Sequence, residues 1–471
     1  MFYISFPKDM NKAKNKKRRR RLIIYIIAVI VLFPVIGFRF YLYPRLPILN
    51  GHAAKNMCSC VFVAGIPEEK VKTQELGFFP ASLAKIVVNK EEKSATATVW
   101  GYGAKTAYYR EGLGCALFNG KQPSKETFKA PTTRHDSLAN WFEWQAKGKS
   151  LVVTPAQQKK LEAALDWAFR ADNPKKLFTR AALVVYKGQI VAERYGDGFD
   201  KNSRFMGWSM TKGITTLLYG ILAKQGKFKI DDPINIPAWK GKPKAKITYR
   251  NLLNMQSGLE WDEDYGSMSD VTRMLYTSNA LGKFASQKPL EFTPGTEWKY
   301  SSGTSNILSY ALINYFPNQK SYQEFPYQAL LHKIGAYSML LETDADGYFV
   351  GSSYSWATAR DWAKLGLLML NNGAWNGEQI VEKSFVDFIR KPLPKSQGHY
   401  GAGFWLNDTT DPKELMPDVP KDAYSYRGFH AQRVEIIPSK DLVIVRLGET
   451  HNEPNFSFND WTKRIIEALE K

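Results

Sequence analysis

A run of seventeen uncharged, mostly apolar residues near the N-terminus places the strongest constraint on what this chain can fold into. The run LIIYIIAVIVLFPVIGF occupies residues 22–38 and directly follows the basic segment KNKKRRRR. A run of this length is at the short limit for a helix that crosses a bilayer, and the aromatic FYLY at 40–43 extends it into the interface. Positive charge on the N-terminal side predicts a cytoplasmic N-terminus. We therefore predict a cytoplasmic tail over 1–21, a single inner-membrane anchor over 22–43, and a periplasmic or otherwise extracytoplasmic remainder.

A cleaved signal peptide is the alternative interpretation of the same run. No A-x-A-type cleavage site closely follows it, and MCSC at 57–60 is a poor match to a lipoprotein cleavage site. Both interpretations export residues 45–471.

The net charge raises the question of a nucleic-acid partner. Residues 1–21 hold nine Lys/Arg and one Asp, and therefore +8 of the net +20. The remaining positive charge is spread thinly, with no dense basic run and no DNA- or RNA-binding motif. We predict no nucleic-acid partner.

Three cysteines, Cys58, Cys60 and Cys115, occur in the chain. An oxidising compartment favours one disulfide among them. Two cysteines that are neighbours two apart in a strand bridge poorly, so Cys115 is expected to pair with either Cys58 or Cys60. Two thiols with His52 make too few ligands for a zinc site, and no HExxH motif occurs. We predict neither a metal nor a cofactor.

The order of predicted elements divides the exported part in two. Residues 57–130 contain short segments rich in β-branched and aromatic residues, which predict a small β-rich extension over 44–150. Residues 151–471 follow the order helix, hairpin, long mostly helical middle, hairpin, helix. This order predicts an α/β fold of the α+β type, in which both chain ends build one antiparallel sheet flanked by helices and the middle forms an inserted helical lobe.

The motif S-x-x-K occurs three times, in pairs that begin at Ser5, Ser82 and Ser209. The first pair lies in the predicted tail, and the second runs straight into a β-branched segment. Only Ser209 opens a convincing helix, because apolar residues follow it at a spacing of 3.6 residues. Context therefore selects Ser209 and Lys212, which lie one turn apart on one helix face.

The chemistry explains why this geometry matters. A serine is a poor nucleophile unless an adjacent base removes its proton, and Lys212 is the candidate base. The backbone N–H of Ser209 would supply half of an oxyanion hole. Two alternatives stay open: an ordinary N-cap serine with a solvated lysine, and a Ser-His-Asp triad. The triad could use any of four histidines, among which spacing does not choose: His332, His399, His430 and His451.

Four ordered segments downstream of Ser209 carry a resemblance to a known family. They are ITYRNLLNMQSGLEW, FTPGTEWKYSSGTSNIL, SWATARDWAKLGLLMLNNGAW and RGFHAQRVEIIPSKDLVIVRLG. Together they resemble the serine β-lactamase and penicillin-binding-protein superfamily over about residues 155–470. The closest similarity is to the class C branch, and within it to the 6-aminohexanoate-dimer hydrolases and related esterases and amidases. The resemblance implies a β-lactamase-like fold and an acyl-enzyme mechanism.

The resemblance also implies roles for individual residues. Tyr300 takes the place of the tyrosine in the family's Y-x-N motif, with a role in proton transfer beside Ser209 and Lys212. The motif here ends in Ser302 instead of asparagine. No K-T-G follows Ser209, and the corresponding edge strand is YSYRGFHAQ, where His430 or Arg427 would replace the lysine's charge.

A backbone N–H near Phe429 or His430 of that strand would complete the oxyanion hole. These departures favour short amides or esters over β-lactams as substrates.

Several residues are candidates for substrate binding. Ser302 replaces the amide of the family motif, and Trp261, Tyr265, Trp298 and Trp405 could line a cleft for an apolar chain, although such aromatic residues commonly belong to a core. Asp264 is a candidate partner for a substrate ammonium, with a solvated loop carboxylate as the alternative.

We therefore predict a membrane-anchored serine hydrolase that cleaves short, peptide-like or small-molecule amides or esters. The alternatives are a D,D-peptidase or esterase acting on cell-wall material, and a catalytically silent penicillin-binding-like module of the envelope.

Overall fold

The computed structural model describes residues 9–130, 136–170, 177–451 and 456–470. The first helix, α1 (Asp9–Gly37), contains the basic segment and nearly all of the apolar run, and its described large apolar side chains are exposed. Among the described residues, no helix combines the length and the apolarity that a bilayer crossing requires. The anchor over 22–43 therefore stays a prediction, and the first eight residues of the predicted tail lie outside the described ranges.

The N-terminal region, residues 46–130, is built from a helix and a sheet. Helix α2 (Leu46–Phe62) is followed by the short α3 (Glu68–Lys70). Four strands then form an antiparallel sheet in chain order: β1 (Lys85–Asn89), β2 (Ser94–Val99), β3 (Tyr102–Arg110) and β4 (Gly114–Leu117).

The β segment predicted from CVFVAG at residues 60–65 is wrong, because residues 60–62 end α2 and a turn follows. Helix α2 packs against the sheet and against a helix of the following domain, so its residues from Ala53 to Cys60 are all buried. A short apolar run such as VFVA at residues 61–64 can belong to a buried strand or to the end of a buried helix, and periodicity alone does not distinguish the two. The β-rich description of the extension therefore holds only for residues 85–117.

A disulfide joins Cys58 of α2 to Cys115 of β4. The prediction that Cys115 pairs with Cys58 or Cys60 is confirmed, and Cys60 is free and buried. The bond ties the helix to the last strand of the N-terminal sheet.

The second part of the chain contains one large sheet with helices on both faces. Its strands follow the antiparallel order β12-β13-β14-β15-β5-β6. The two chain ends supply its strands, which confirms the predicted antiparallel sheet. The strands are β5 (Thr179–Tyr186), β6 (Gln189–Tyr195), β12 (Trp405–Leu406), β13 (Tyr424–Gly428), β14 (Gln432–Ile437) and β15 (Leu442–Gly448).

Side chains alternate between the two faces of this sheet. Ala182 and Val184 of β5 pack in one cluster with Leu161 and Trp461, whereas Leu183 packs on the opposite face in the larger core. The first cluster lies under α6 (Pro155–Phe169) and α15 (Phe458–Leu469), and the larger core lies under α13 (Ala359–Leu370). The sheet is therefore the middle layer between helices.

The remaining elements form the predicted helical lobe and its connections. Short strands pair in two small sheets, β7-β9-β8 and β10-β11. These strands are β7 (Phe205–Met206), β8 (Leu340–Leu341), β9 (Ser355–Ala357), β10 (Ala374–Trp375) and β11 (Glu378–Gln379). The helices are α4 (Asp136–Ala139), α5 (Trp141–Ala146), α7 (Thr211–Lys224), α8 (Tyr249–Leu253), α9 (Asp270–Thr277), α10 (Leu281–Ser286), α11 (Ser302–Ala311), α12 (Gln319–Pro326) and α14 (Lys383–Ile389).

The N-terminal region is packed against this domain through a shared core and buried polar contacts. Lys55 of α2 pairs with Glu342, and both side chains are buried. Arg110 of β3 donates to the Thr343 hydroxyl at 2.8 Å and to its carbonyl at 3.0 Å. Apolar residues of both parts belong to one contiguous cluster. The extension thus forms a wall of the domain rather than a separate body.

Candidate active site

Ser209 lies in a 3₁₀ turn, Trp208–Met210, that opens α7. The backbone of Trp208 is left-handed, with φ of 46°. A non-glycine residue in this region costs on the order of 1 kcal/mol and persists only where the surroundings hold it. The apolar face of α7 is buried, which fixes the turn on the domain core. The predicted helix after Ser209 is therefore present, with the serine in the turn before its first residue.

Lys212 lies one turn after Ser209 and points back toward it. Its Nζ donates to Ser209 Oγ at 2.9 Å, to Ser302 Oγ at 3.1 Å and to the Ser352 carbonyl at 3.2 Å. The three N–H groups of an ammonium thus each have an acceptor. The Lys212 side chain is buried, at 2% exposed. The solvated-lysine alternative is therefore wrong, since this lysine is enclosed in a hydrogen-bonded site.

Ser302 links Lys212 to Glu263, a carboxylate that no sequence motif indicates. Ser302 Oγ donates to Glu263 Oε1 at 2.5 Å, and the Ser302 backbone N–H donates to Glu263 Oε2 at 2.8 Å. Ser302 is the first residue of α11, so the carboxylate lies at a helix N-terminus, where the dipole favours negative charge. The Tyr265 hydroxyl lies 3.2 Å from Ser302 Oγ.

Burial raises the pKa of Glu263, although Lys212 and the hydrogen bonds from Ser302 and Trp261 act in the opposite direction. The Trp261 indole N–H donates to Glu263 Oε2 at 2.5 Å. Trp261 is itself buried against Gly303, where a Cβ would lie 2.5 Å from the indole. Trp261 therefore does not line an open cleft as predicted, because its ring is packed and its N–H holds Glu263.

Tyr300 borders the same site through its ring. Lys212 Nζ lies 4.7 Å from the centroid of the Tyr300 ring. The Trp405 ring centroid lies 5.4 Å from that of Tyr300. The structure thus brings Tyr300 beside Lys212, which contacts Ser209, and it places Trp405 next to Tyr300.

The end of β13 runs beside the nucleophile turn. At Gly428 a Cβ would lie 2.1 Å from the Gly207 carbonyl oxygen, so only glycine permits this approach. The next residue, Phe429, has its ring 5.7 Å from that of Trp208. The end of β13 therefore lies beside the turn that holds Ser209, and the oxyanion hole at Phe429 or His430 stays a prediction.

His430 and Arg427, which were expected to replace the lysine of the family's K-T-G motif, each pair with a carboxylate. The buried His430 bonds through Nδ1 to Glu449 Oε2 at 2.5 Å. Arg427 donates to Glu414 at 2.6 Å. Burial raises the pKa of Glu449, but His430 and Arg180 outweigh it and the net pKa is lowered. Local carboxylates thus pair with both side chains, and the replacement of the family's lysine by His430 or Arg427 stays a prediction.

None of the four histidines considered for a triad forms a hydrogen bond with Ser209 in the described ranges. His399 lies 3.5 Å from Asp411, and His451 Nε2 bonds to the Gln74 carbonyl at 2.5 Å. The ring of His332 packs against Tyr327 and Tyr337. The geometry favours Lys212 over a histidine as the base.

Asp264 is an exposed loop carboxylate that accepts the Gly266 N–H at 2.8 Å. The neighbouring Glu263 is the acid of this loop that reaches Ser302. Three acids occur in the segment WDEDYG, and no periodicity in a loop indicates which of them faces inward. No sequence signal therefore indicates Glu263, and the role of Asp264 as partner of a substrate ammonium stays a prediction.

Comparison with known proteins defines the class of this molecule. The family model Beta-lactamase matches residues 137–469. The chain belongs to the beta-lactamase family, and it is a serine hydrolase with the fold of that family.

Several individual proteins are similar to this chain in sequence or in fold. The chain is 23% identical over 299 residues to a 6-aminohexanoate-dimer hydrolase of Paenarthrobacter ureafaciens, in a match that covers 57% of this chain and 72% of the relative. A Bacillus anthracis protein assigned as a 6-aminohexanoate-dimer hydrolase has the same fold with a TM-score of 0.55 and 21% identity, over 75% of this chain and 92% of that one. A family VIII carboxylesterase superposes with a TM-score of 0.51 and 16% identity, over 68% and 98%.

Proposed function

We propose that the protein hydrolyses an amide or ester through an acyl-enzyme on Ser209. The observation that carries this proposal is the 2.9 Å contact between Lys212 Nζ and Ser209 Oγ in a buried site. A buried amine in hydrogen-bond reach of a hydroxyl meets the geometric requirement for a base and its nucleophile. The similarity to hydrolases of amides and esters supports this substrate class.

Lys212 must lose its ammonium proton before it can accept the proton of Ser209. Ser302 Oγ lies between Lys212 Nζ and Glu263 Oε1, at 3.1 Å and 2.5 Å. A proton can therefore pass from Nζ to Ser302 Oγ as the Ser302 proton passes to Glu263. The raised pKa of Glu263 favours this acceptance. Glu263 is thus the proposed acceptor of the Lys212 proton.

In the acylation step, Ser209 Oγ bonds to the substrate carbonyl carbon and its proton moves to Lys212. The bond from that carbon to the leaving nitrogen or oxygen then breaks, and the leaving group takes the proton directly or through Tyr300. In the second step, water gives its proton to Lys212 and attacks the acyl carbon. The acid is released, and the proton returns to Ser209.

The carbonyl oxygen becomes negative in both steps and needs hydrogen-bond donors. The backbone N–H of Ser209 and one at Phe429 or His430 are the proposed donors. The close approach of Gly428 to Gly207 supports this assignment, because it brings the end of β13 to the nucleophile turn.

A partition experiment tests the proposed acyl-enzyme. A p-nitrophenyl butyrate ester and a p-nitroanilide of the same acid are hydrolysed by the full chain in buffer containing methanol. Because both substrates form the same acyl-enzyme, we expect the same ratio of methyl butyrate to butyrate. Unequal ratios would contradict a shared intermediate, and no turnover of either substrate would contradict the function.

We further propose that the apolar run of α1 anchors the protein in the inner membrane, with the N-terminus cytoplasmic and the catalytic domain outside. The exposed side chains of the described large apolar residues from Leu22 to Ile36, and the basic segment before them, support this orientation. The disulfide between Cys58 and Cys115 supports an oxidising compartment. An alkaline phosphatase fused after residue 60 should be active and a cytoplasmic reporter fused there inactive. The reverse pattern would contradict the orientation.

A further inference from the structure

A cavity of about 350 Å³ lies between the N-terminal region and the catalytic domain. The N-terminal region supplies one wall through α2, the loop before β1 and the turn between β2 and β3. The catalytic domain supplies the other wall through the nucleophile turn, the loop before α9 and the end of β13. The lining is mostly apolar and aromatic, and includes Leu46, Leu49, Phe78, Leu83, Met268 and Phe429.

Three lining residues also border the candidate active site. Trp208 directly precedes Ser209, and the Tyr265 hydroxyl contacts Ser302 at 3.2 Å. Phe429 stacks on Tyr265 with ring centroids 6.0 Å apart. The cavity therefore begins where the substrate carbonyl would be held.

Two polar side chains of the wall, His52 and Tyr276, are paired with each other. His52 Nδ1 lies 3.0 Å from the Tyr276 hydroxyl. Burial, together with the nearby His430, lowers the pKa of His52 to about 4, so this wall carries no charge from His52 at neutral pH. A ligand for this space needs few hydrogen bonds and much apolar surface.

The other end of the cavity lies where the chain leaves α1. Leu42 and Arg45, which follow α1 within a few residues, line it. Phe79 and Trp100 line it as well and are exposed, at 79% and 60%. Tryptophan side chains such as that of Trp100 are enriched at membrane–water interfaces. With α1 as the proposed membrane anchor, an apolar chain would enter this end of the cavity from the bilayer.

We propose that this cavity binds the long apolar acyl chain of the substrate, so that the hydrolase acts on amphipathic acyl esters or amides. The inference rests on the proposed function, and it names the acyl group of that reaction. A dry cavity of about 150 Å³ holds a six-carbon ring, so 350 Å³ corresponds to roughly 10 to 14 carbon atoms. The acyl group is the part expected to fill it, because it stays joined to Ser209 beside Trp208.

The dependence of kcat/KM on acyl length tests this proposal. Each CH₂ group moved from water into the cavity should raise kcat/KM by roughly threefold to fourfold, until the cavity is filled. The substrates are p-nitrophenyl esters from acetyl to hexadecanoyl, and the enzyme is the full chain at one fixed detergent concentration. We expect a rise that stops at about 10 to 14 carbons.

Two variants in the cavity wall distinguish binding of the acyl chain in the cavity from partitioning of the substrate into detergent. Partitioning is the same for all proteins, because the detergent concentration is the same. Ser267→Trp fills the cavity from an exposed loop position, and Leu83→Asp places a charge in the opposite wall. Each should lower the ratio of the dodecanoyl to the butanoyl kcat/KM at least tenfold. Val87→Asp is the matched control: Val87 is exposed in β1 outside the cavity, and the ratio should stay within twofold of wild type.

The outcomes distinguish the two proposals. A flat length profile in the wild type, or an unchanged ratio in both wall variants, would overturn the acyl-chain site while leaving the hydrolase intact. A length dependence that follows the alcohol part of the ester instead of the acyl part would also overturn it. Absence of Ser209-dependent turnover with every ester would overturn the proposed function itself.

Discussion

Ser82 and Ser209 each stand three residues before a lysine, in two different regions of the molecule. Ser82 lies in a 3₁₀ turn, Ala81–Leu83, that leads into β1, and both Ser82 and Lys85 are exposed. Ser209 lies in a 3₁₀ turn that leads into α7, and Lys212 is buried with its Nζ 2.9 Å from the hydroxyl. The helix that follows brings the lysine back toward the serine, whereas the strand carries it away.

The comparison also shows what the N-terminal region contributes. Its serine–lysine pair is exposed, whereas its apolar residues line one side of the cavity beside Trp208. The catalytic domain thus carries the candidate chemistry, and the N-terminal region shapes the space that the substrate occupies. The following predictions test this division.

Replacement of the lysines should give the largest contrast between the two regions. Lys212→Arg should lower kcat/KM for p-nitrophenyl butyrate by about a thousandfold, because a guanidinium keeps its proton at any working pH. Lys85→Arg is the matched control and should change it less than twofold. If Lys212→Arg keeps most of its activity, Lys212 is not the base.

Removal of the Tyr300 hydroxyl should have the next largest effect. Tyr300→Phe should slow hydrolysis of the butyryl p-nitroanilide by about a hundredfold, because an amine leaving group must be protonated. The p-nitrophenyl ester should lose much less, since p-nitrophenolate leaves without a proton. Steady-state rates on both substrates measure the difference, and equal small losses below threefold would rule out a proton-transfer role.

The protonation of Glu263 should determine how kcat/KM falls at low pH. Its raised pKa means that it takes up a proton at a higher pH than an exposed glutamate does. Once protonated, it no longer accepts a proton through Ser302, so wild-type kcat/KM should fall as the pH falls through this pKa. Glu263→Gln should lose roughly tenfold at neutral pH and should lack this limb. An unaltered limb in the variant would assign it to another group.

Asp264→Asn provides the control for that experiment, because Asp264 is the exposed acid next in sequence. Its pH profile should match that of the wild type.

The disulfide of the N-terminal region should matter for stability and little for chemistry. Removal of the bond in Cys58→Ala/Cys115→Ala should lower the free energy of unfolding by up to about 4 kcal/mol, given a sequence separation of 57 residues. Turnover of the butyrate ester should change less than threefold. Cys60→Ala, also buried in α2 but not bonded, is the control and should retain the denaturation midpoint more closely. Equal losses in both proteins would show that packing, not the bond, stabilises α2.

The parts of the fold and site that depend on residues close together in the sequence could be predicted from it. The spacing of Ser209 and Lys212 and the apolar period after them are local, and so is the hairpin that joins β14 to β15. Glu263 could not be found in this way, because its role depends on which of three adjacent loop acids meets the N-terminus of α11. The end of α2 was mistaken for a strand because it is buried between a sheet and a helix. Contacts between residues far apart in the sequence determine both the role of Glu263 and the helical structure at the end of α2.

Covalent labelling tests the central claim most directly. The full-length protein is treated with a fluorophosphonate, digested, and mapped by mass spectrometry, in parallel with Ser209→Ala and Ser82→Ala. We predict one labelled site, Ser209, with full labelling in Ser82→Ala and none in Ser209→Ala. Full labelling of Ser209→Ala, or a label on any other residue of the wild type, would contradict the claim that the turn before α7 holds the nucleophile.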